Sequence, residues 1–325
     1  METILLTGGA GFIGSHLAKA LLDTGLYRVL CLDNLDDFYS PELKEANLNS
    51  LYAYRDFSFV YGDISRLDAA ALEEITRHQR IDKIVHLAAK AGVRPSIDDP
   101  AGYYQTNVTG MVNLLEFARS AGTRDFIYAS SSSVYGDCPH TPWTESQQHL
   151  TQISPYAATK IAGEQLGQVY AHLYPIRFTA LRLFTVYGPR QRPDLAIHKF
   201  YNLMKQGLPI QLYGDGGTSR DYTFVGDVVS GILAAVRSTP LERFSVFNLG
   251  SGRPVSLLEL VWALERVTGI TARINFTAEQ PGDVKHTWAD ISRAGRLLDY
   301  HPVTSLEEGL EAFMSWKEQL QSIVY

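Results

Sequence analysis

The sequence has few cysteines and no excess of basic residues. Only two cysteines occur, Cys31 in an apparent strand and Cys138 in an apparent loop, so no disulfide framework is expected. The formal charge of −6 argues against a general nucleic-acid-binding protein, which would present a basic surface. A charged leader and an apolar run of membrane length are also missing. We therefore expect a cytoplasmic protein without a membrane or nucleic-acid partner.

The sequence also lacks histidines at a spacing typical of metal ligands. The nine histidines show no pattern typical of metal ligands, so we expect no metal site. What the chain does have is length and an ordinary composition, with 325 residues of which 45% are hydrophobic and 20% charged. These values are typical of a globular enzyme with two lobes or one large α/β domain.

The order of apolar patterns indicates the fold class. Short β-rich runs such as "TILLT" from Thr3 and "YRVLCLD" from Tyr27 alternate with helical segments through the first half. Such alternation predicts an α/β fold with a doubly wound parallel sheet of the Rossmann type. Beyond Gly188 the chain becomes richer in loops, and we predict a smaller C-terminal lobe. Helices are expected there at 196–206, 225–237, 257–268 and 306–321.

A glycine-rich turn follows the first strand and opens a helix. In "TGGAGFIG", Gly8, Gly11 and Gly14 have the spacing G-x-x-G-x-x-G, with Phe12 and Ile13 between them. Glycines at this spacing permit a tight turn and a close backbone approach to a pyrophosphate, which then lies on the helix N-terminus. This segment therefore predicts a dinucleotide-binding site.

Asp33 ends the second strand, 19 residues after Gly14. A carboxylate there accepts from a ribose 2′-hydroxyl and repels a 2′-phosphate, which favours NAD over NADP. We assign residues 1–186 to an NAD-binding domain, with return segments near 225–250, and 187–325 mainly to a substrate lobe. The adenosine half is expected at the next two strand ends, unless their residues serve only as turn and core: Asp63, Ile64, Leu87, Ala88 and Ala89.

The segment "SPYAATK" places a phenol and an ammonium four residues apart at a helix start. Ser154 is a suitable N-cap, so Tyr156 and Lys160 lie one turn apart on one face. A nearby ammonium lowers a phenol pKa that starts near about 10. Continuing the helix, we predict a buried stripe of Ala162, Leu166, Val169 and Leu173.

The fifth strand ends in "ASSSSVYG", with four serines directed to the carboxyl edge of the sheet. With the dinucleotide site and the Tyr156/Lys160 pair, this run predicts a catalytic triad. Tyr156 would be the base, Lys160 would stabilise the phenolate and hold the nicotinamide ribose, and a serine hydroxyl would hold the substrate oxygen. For Ser130 we expect only hydrogen bonds to loop backbone groups.

With these motifs the chain resembles the extended short-chain dehydrogenase/reductase family over nearly its whole length. The resemblance implies that Ser131 is the catalytic serine and that Ser132 and Ser133 face a sugar. "YGDGGTSRDYTFVGDVV" looks like the family's substrate-lobe signature, in which Arg220 would hold a diphosphate. "PGDVKHTWAD" resembles the segment whose acid, here Asp283, binds a nucleoside. The alternatives are a surface ion pair for Arg220 and a turn for Asp283.

Two segments look like the UDP-glucuronate 4-epimerase branch: "LRLFTVYGPRQRPDLAIHKF" from Leu181 and "AAKAGVRPSIDDP" from Ala88. Galactose-type epimerases usually carry Asn at the position of Thr185, and the related decarboxylases usually carry Glu at the position of Ser133. The branch implies groups for a C6 carboxylate and the rest of the sugar nucleotide: Arg192, Thr185, Ser132, Ser133, Arg94 and Lys199. Arg192 could instead clamp phosphate or order its loop, and Arg94 could cap a local turn.

The resemblance thus implies NAD-dependent conversion of UDP-glucuronate to UDP-galacturonate through a transient 4-keto sugar. Hexose 4-epimerisation, decarboxylation and epimerisation of another nucleotide sugar stay open. A non-catalytic dinucleotide sensor is disfavoured because Ser131, Tyr156 and Lys160 are all intact. The helices around 111–119 and 158–173 resemble the family's dimer interface, so we expect a homodimer.

Overall fold

The computed structural model describes residues 1–148, 150–238, 242–278 and 284–323, with the backbone alone for 320–323. Its strands are Glu2–Thr7 (β1), Tyr27–Asp33 (β2), Phe57–Tyr61 (β3), Lys83–His86 (β4), Asp125–Ser131 (β5), Arg177–Leu183 (β6), Thr185–Tyr187 (β7), Ile210–Tyr213 (β8), Ser219–Phe224 (β9), Phe244–Leu249 (β10), Pro254–Ser256 (β11) and Ile274–Thr277 (β12).

The α-helices are Phe12–Asp23 (α1), Pro41–Asn49 (α2), Ala69–Ile75 (α3), Val93–Asp98 (α4), Pro100–Tyr104 (α5), Gly110–Ala121 (α6), Pro155–Leu173 (α7), Ala196–Lys205 (α8), Val225–Arg237 (α9), Leu257–Thr268 (α10), Ser292–Leu298 (α11) and Leu306–Ile323 (α12). A π-helical turn, Gln105–Thr109, joins α5 to α6, and a 3-10 turn, Ser132–Tyr135, follows β5. The four helices predicted in the C-terminal half are confirmed, each ending within two residues of the expected position.

Seven strands form the central sheet in the order β10-β6-β5-β4-β1-β2-β3. All six neighbouring pairs are parallel. The strand order reverses between β1 and β4, and in sheets of this type a ligand crevice opens beyond the carboxyl ends of the strands at that point. The predicted doubly wound parallel sheet is confirmed.

Helices cover both faces of this sheet. On one face α1 and α9 pack side by side, and residues such as Leu17 and Ile232 are fully buried. On the other face α3, α6 and α7 cover a second core that includes Leu114 and Phe178. Because both faces are covered, the sheet strands are apolar almost throughout, as expected for parallel sheets.

The C-terminal lobe has two small sheets, β11-β9-β7 and β12-β8, with α8, α10 and α12 around them. Its separate core includes Tyr187, Tyr201, Leu260 and Phe313. The chain returns to the large sheet through α9 and β10, the last of which pairs with β6. Within the described part of the chain, no helix has both the length and the apolar character needed to cross a membrane.

The buried face of α7 differs from the predicted one. Val169 is 50% exposed and Leu173 is 60% exposed in the single chain, so the predicted buried stripe is wrong at these positions. The helix instead meets the sheet through Gly163 and Gly167, where an added Cβ would overlap the hydroxyl of Tyr128 and the ring of Phe178. Small residues thus let the helix axis approach the large aromatic side chains of the sheet closely.

Candidate active site

A cavity of about 530 Å³ opens at the carboxyl edge of the central sheet. It extends from the turn after β1, past the ends of β4 and β5 and the start of α7, to Arg220 and Thr287 of the smaller lobe. All the predicted cofactor residues line this cavity, and so do most of the predicted substrate residues. The fold therefore brings together side chains that are far apart in sequence.

The glycine turn is shaped for close backbone approach. Gly8 has φ +74°, and a Cβ there would lie 2.6 Å from the backbone nitrogen of Ala88. A Cβ on Gly14 would overlap the carbonyl oxygen of Gly8. Helix α1 begins at the cavity without a side-chain cap, so its first N–H groups are available to a ligand near Phe12 and Ile13. These features fit a bound pyrophosphate.

Asp33 lies at the cavity wall and also ties two loops together. Its Oδ2 accepts from the backbone N–H of Ala10 at 3.0 Å, and its Oδ1 accepts from Leu35 at 2.9 Å. Burial raises the pKa of Asp33, while these hydrogen bonds and the charge of Lys44 oppose that effect. The carboxylate is therefore held in place at the end of β2.

Lys44 is a cavity residue that the sequence patterns did not single out. It is buried, its ammonium donates to the carbonyl of Asp36, and it lies 4.6 Å from the centroid of the Tyr39 ring. Burial lowers the pKa of Lys44, and Asp33 opposes this. No spacing rule marks a lysine on the helix after the second strand, so only the fold could reveal it.

The other predicted cofactor residues line the same end of the cavity. Asp63 follows β3 and accepts from the backbone N–H of Ser65 at 2.9 Å. Ala88 follows β4, and its N–H donates to the hydroxyl of Thr7 at 3.3 Å. The set that lines the cavity is Asp63, Ile64, Leu87, Ala88 and Ala89.

Ser131, Tyr156 and Lys160 converge at the middle of the cavity. Ser131 is the last residue of β5, and Tyr156 and Lys160 lie in the first turns of α7, whose N-cap Ser154 accepts from Ala157 at 3.1 Å. The ammonium of Lys160 donates to the carbonyl of Ala129 at 2.7 Å and lies 5.9 Å from the centroid of the Tyr156 ring. The predicted phenol, ammonium and hydroxyl share one space.

Burial shifts the pKa of both partners. It lowers the pKa of Lys160 to about 7 and raises that of Tyr156, although the Ser131 hydrogen bond and the charge of Arg192 favour the phenolate. Burial thus disfavours the charged form of each residue taken alone. Together, a phenolate and an ammonium would compensate each other, as proton transfer at a hydroxyl requires.

Two further residues contact the first turns of α7. Tyr103 packs edge-on against Tyr156, with ring centroids 6.2 Å apart. Asn107, in the π-helical turn, accepts from the N–H of Lys90 at 2.8 Å and donates to the hydroxyl of Thr159 at 3.0 Å. Asn107 was not predicted, because helical periodicity does not reveal a π-helical turn.

Ser130 has a different partner from the one expected. Its hydroxyl donates to Glu164 Oε1 at 2.5 Å, and Glu164 forms a two-point ion pair with Arg182. The side chains of Arg182 and Glu164 are only 6% and 5% exposed. The expectation of backbone bonding alone for Ser130 is therefore wrong, because a buried carboxylate on α7 needs donors from β5 and β6.

The substrate end of the cavity is lined by Ser132, Ser133, Thr185, Arg192 and Arg220. The hydroxyl of Ser131 donates to that of Ser133 at 3.0 Å. Arg192 forms a two-point ion pair with Asp194 through bonds of 2.9 and 2.8 Å. Arg220 donates to the carbonyl of Ser219 at 2.9 Å. Two guanidinium groups and several hydroxyls thus line the same cavity as Tyr156.

Two predicted substrate residues that the structure describes do not line the cavity. Arg94 is exposed on α4, and its guanidinium lies 5.5 Å from the centroid of the Tyr213 ring. Lys199 is exposed on α8. Asp283 lies outside the described residues. In the described part of the chain, no group of three or more His, Cys, Asp or Glu side chains could hold a metal ion.

The chain matches a known protein family over most of its length. Residues 4–250 match the NAD dependent epimerase/dehydratase family. The chain belongs to this family. The predicted family is confirmed, and with it the prediction of an NAD-dependent enzyme.

Two 4-epimerases that act on a uronate by their names are similar to almost the whole chain. UDP-glucuronate 4-epimerase of Thermodesulfobacterium geofontis is 41% identical over 326 residues, which cover 99% of this chain and 98% of the relative. The crystal structure of UDP-glucuronic acid 4-epimerase from Bacillus cereus in complex with UDP-glucuronic acid and NAD has a TM-score of 0.91 and 39% identity, covering 98% and 99% of the two chains.

A hexose enzyme of the family is also similar. UDP-glucose 4-epimerase from Thermotoga maritima, in its structure with UDP-glucose, has a TM-score of 0.88 and 33% identity, covering 98% of this chain and 99% of that chain. The fold is therefore shared by epimerases of different sugars, and the sugar must be argued from the site.

Proposed function

We propose that this chain catalyses NAD-dependent epimerisation of UDP-glucuronate at C4 to give UDP-galacturonate through a transient 4-keto sugar. The similarity to the two UDP-glucuronate 4-epimerases supports the reaction. The observation that carries the choice of a uronate is the guanidinium of Arg192, which lines the same cavity as Tyr156 together with the hydroxyls of Ser132, Ser133 and Thr185.

The cofactor would occupy the end of the cavity next to the glycine turn. The N-terminus of α1 would hold the pyrophosphate, Asp33 the adenosine ribose, and Lys160 the nicotinamide ribose. The adenosine half would contact Asp63, Ile64, Leu87, Ala88 and Ala89. When bound, NAD accepts a hydride from C4 of the sugar and returns it.

Tyr156 would act as the general base. As a phenolate it takes the proton from the C4 hydroxyl, while Ser131 donates a hydrogen bond to that oxygen. The ammonium of Lys160 stabilises the phenolate through its charge. After the 4-keto sugar has turned in the cavity, Tyr156 returns the proton to the oxygen, and the configuration at C4 is inverted.

A uronate adds a requirement that a hexose does not have. Its 4-keto intermediate is a β-keto acid, which loses CO₂ when the bond to the carboxylate aligns with the ketone π-system. An epimerase must hold the carboxylate out of this alignment. In this proposal Arg192 provides the charged contact, and Ser132, Ser133 and Thr185 provide hydroxyls.

The rest of the sugar nucleotide would bind toward the smaller lobe. Arg220 would hold the diphosphate and Asp283 the nucleoside. The proposal does not depend on Arg94 or Lys199, which lie outside the cavity. Residues 1–186, with the return segments near 225–250, would serve as the NAD-binding domain, and 187–325 mainly as the substrate lobe.

The main alternative is a hexose 4-epimerase, in view of the relative from Thermotoga maritima. Incubating the purified protein with UDP-glucuronate and with UDP-glucose, and resolving the products by NMR, separates these functions. We expect UDP-galacturonate to form much faster than UDP-galactose. Faster turnover of UDP-glucose, or a UDP-pentose as the main product, would refute the proposed substrate or the proposed reaction.

We also propose a cytoplasmic homodimer. Both cysteines are free thiols, which fits a reducing compartment. The exposed Val169 and Leu173 lie on α7, one of the two helices that resemble the family's dimer interface. Light scattering should give twice the mass of the chain, and a monomer at micromolar concentration would contradict this assembly.

A further inference from the structure

Asp194 holds the guanidinium of Arg192 along one edge. Both residues lie in the segment 188–195 between β7 and α8. Arg192 Nε donates to Asp194 Oδ1 at 2.9 Å, and Arg192 Nη2 donates to Oδ2 at 2.8 Å. Paired bonds of this kind fix the plane of a guanidinium as well as its place. Of these two residues, only Arg192 lines the cavity.

Two other contacts limit the movement of Arg192. Its Nη1 lies 3.4 Å from the carbonyl oxygen of Ala91, and its guanidinium carbon lies 5.0 Å from the centroid of the Phe38 ring. A guanidinium has five N–H donors in a planar fork. Because Asp194 accepts from Nε and Nη2 and Ala91 accepts from Nη1, one N–H on each of Nη1 and Nη2 is left for a carboxylate in the cavity.

We infer that Asp194 is a positioning residue that fixes which edge of Arg192 meets the C6 carboxylate, and so suppresses loss of CO₂ from the 4-keto sugar. This inference rests on the proposed function. It adds that the carboxylate of Asp194, which lies outside the cavity, sets the orientation of the Arg192 guanidinium. It also implies that Asp194 offsets the charge of Arg192. Arg192 would then act on the C6 carboxylate through its orientation more than through net electrostatic attraction.

The side reaction that orientation prevents is a simple decarboxylation. The bond between C5 and C6 breaks, CO₂ leaves, and the electron pair of that bond moves onto the ketone oxygen at C4 as an enolate. C5 then takes a proton, and the product is a UDP-4-keto-pentose. The yield of CO₂ per turnover therefore reports how firmly the carboxylate is held.

The backbone around Arg192 has supports that do not involve the side chain of Asp194. The N–H of Leu195 donates to the carbonyl of Arg192 at 3.3 Å. The ring Nδ1 of His198 lies 3.2 Å from the carbonyl oxygen of Gln191, and the ammonium of Lys317 donates to the other ring nitrogen at 2.9 Å. Replacing the Asp194 side chain should therefore free the guanidinium while leaving the loop in place.

The test is Asp194→Asn, assayed for epimerisation and for CO₂ release with UDP-glucuronate. We expect kcat to fall by about tenfold to a hundredfold, because misplaced contacts have costs of this size. KM for UDP-glucuronate should stay the same or fall, since the charge of Arg192 is no longer offset by Asp194. The CO₂ share, which is the fraction of turnovers that release CO₂, should rise. Asp194→Glu, which keeps the carboxylate, should largely restore the wild-type partition. Asp23→Asn removes a comparable charge from the exposed Lys19 pair and should behave as wild type.

A double variant adds a stricter condition. Because Asp194 acts through Arg192, the variant carrying both Arg192→Ala and Asp194→Asn should match Arg192→Ala alone, and losses that multiply would overturn the inference. A raised KM with an unchanged CO₂ share would also overturn it, since Asp194 would then only support the loop. If the wild type does not convert UDP-glucuronate, the proposed function itself fails. If the wild type converts it and Asp194→Asn matches wild type, only the inference fails.

Discussion

Replacing Asp33 with asparagine should change the cofactor preference. The structure favours this variant over Asp33→Ala, because the carboxylate also accepts from the backbone N–H groups of Ala10 and Leu35. Alanine would leave both donors without a partner, whereas the asparagine oxygen can still accept one of them. The asparagine variant therefore removes the charge while disturbing the glycine turn least.

The expected magnitude follows from the loss of one charged acceptor. Hydrogen bonds to charged groups contribute roughly 1.5–3 kcal/mol, so the affinity for NAD should fall about tenfold to a hundredfold. NADP should bind more tightly than it does to the wild type, since two like charges 4 Å apart repel by about 4 kcal/mol at an effective dielectric constant of 20. The gain is limited by Lys44, because Asp33 now raises the pKa of Lys44 and its loss would favour the neutral amine.

Titration of both cofactors into protein stripped of nucleotide measures this ratio directly. Asp36→Asn is the matched control, since Asp36 lines the same cavity but accepts from Phe38 in its own loop. The control should keep the preference for NAD. Equal affinity of the wild type for the two cofactors, or an unchanged ratio in Asp33→Asn, would refute the role given to Asp33.

Three further variants test other parts of the site. Tyr156→Phe should lower turnover by about 10²–10⁴ while NAD affinity stays nearly intact, and near-wild-type turnover would reject Tyr156 as the base. Arg192→Ala should lower kcat/KM for UDP-glucuronate about tenfold to a hundredfold more than for UDP-glucose, because only the uronate loses a charged contact. Equal losses for the two substrates would contradict this role, and Arg94 would then be the next residue to test. Burial lowers the pKa of His86 from its ordinary 6.5 to about 3, so the unfolded chain binds a proton that the folded chain does not, and stability falls as the pH drops through this range. His86→Asn should reduce that dependence, measured by urea unfolding between pH 4 and 6, by about 1.4 kcal/mol per pH unit.

Local rules predicted the parts of the site that lie at strand ends and helix starts. Gly8, Asp33 and Ser131 follow or end parallel strands, and the carboxyl ends of such strands meet at one edge. Tyr156 and Lys160 share a helix face through their spacing alone. Their convergence in one cavity was therefore predictable before any tertiary contact was known.

Contacts between distant segments were not predictable in this way. Lys44 reaches the cavity from α2, and Arg94 faces Tyr213 of the other lobe, because of how whole elements pack. The prediction of which α7 residues are buried was wrong for a related reason. Hydrophobicity suggested that Val169 and Leu173 face the core, but the sheet presents large aromatic rings there and only glycine leaves room for them.

This close packing of α7 has a stereochemical consequence. A Cβ at Gly163 would overlap Tyr128, and one at Gly167 would overlap Phe178, so the helix that carries Tyr156 and Lys160 has no space to shift toward the sheet. In the proposed reaction, Tyr156 therefore serves both halves of the cycle from a single position. An inversion catalysed by an immobile base requires the ligand to expose its opposite face. The freedom of movement that the reaction needs thus belongs to the sugar ring, and the handedness of the product is decided by how far that ring turns.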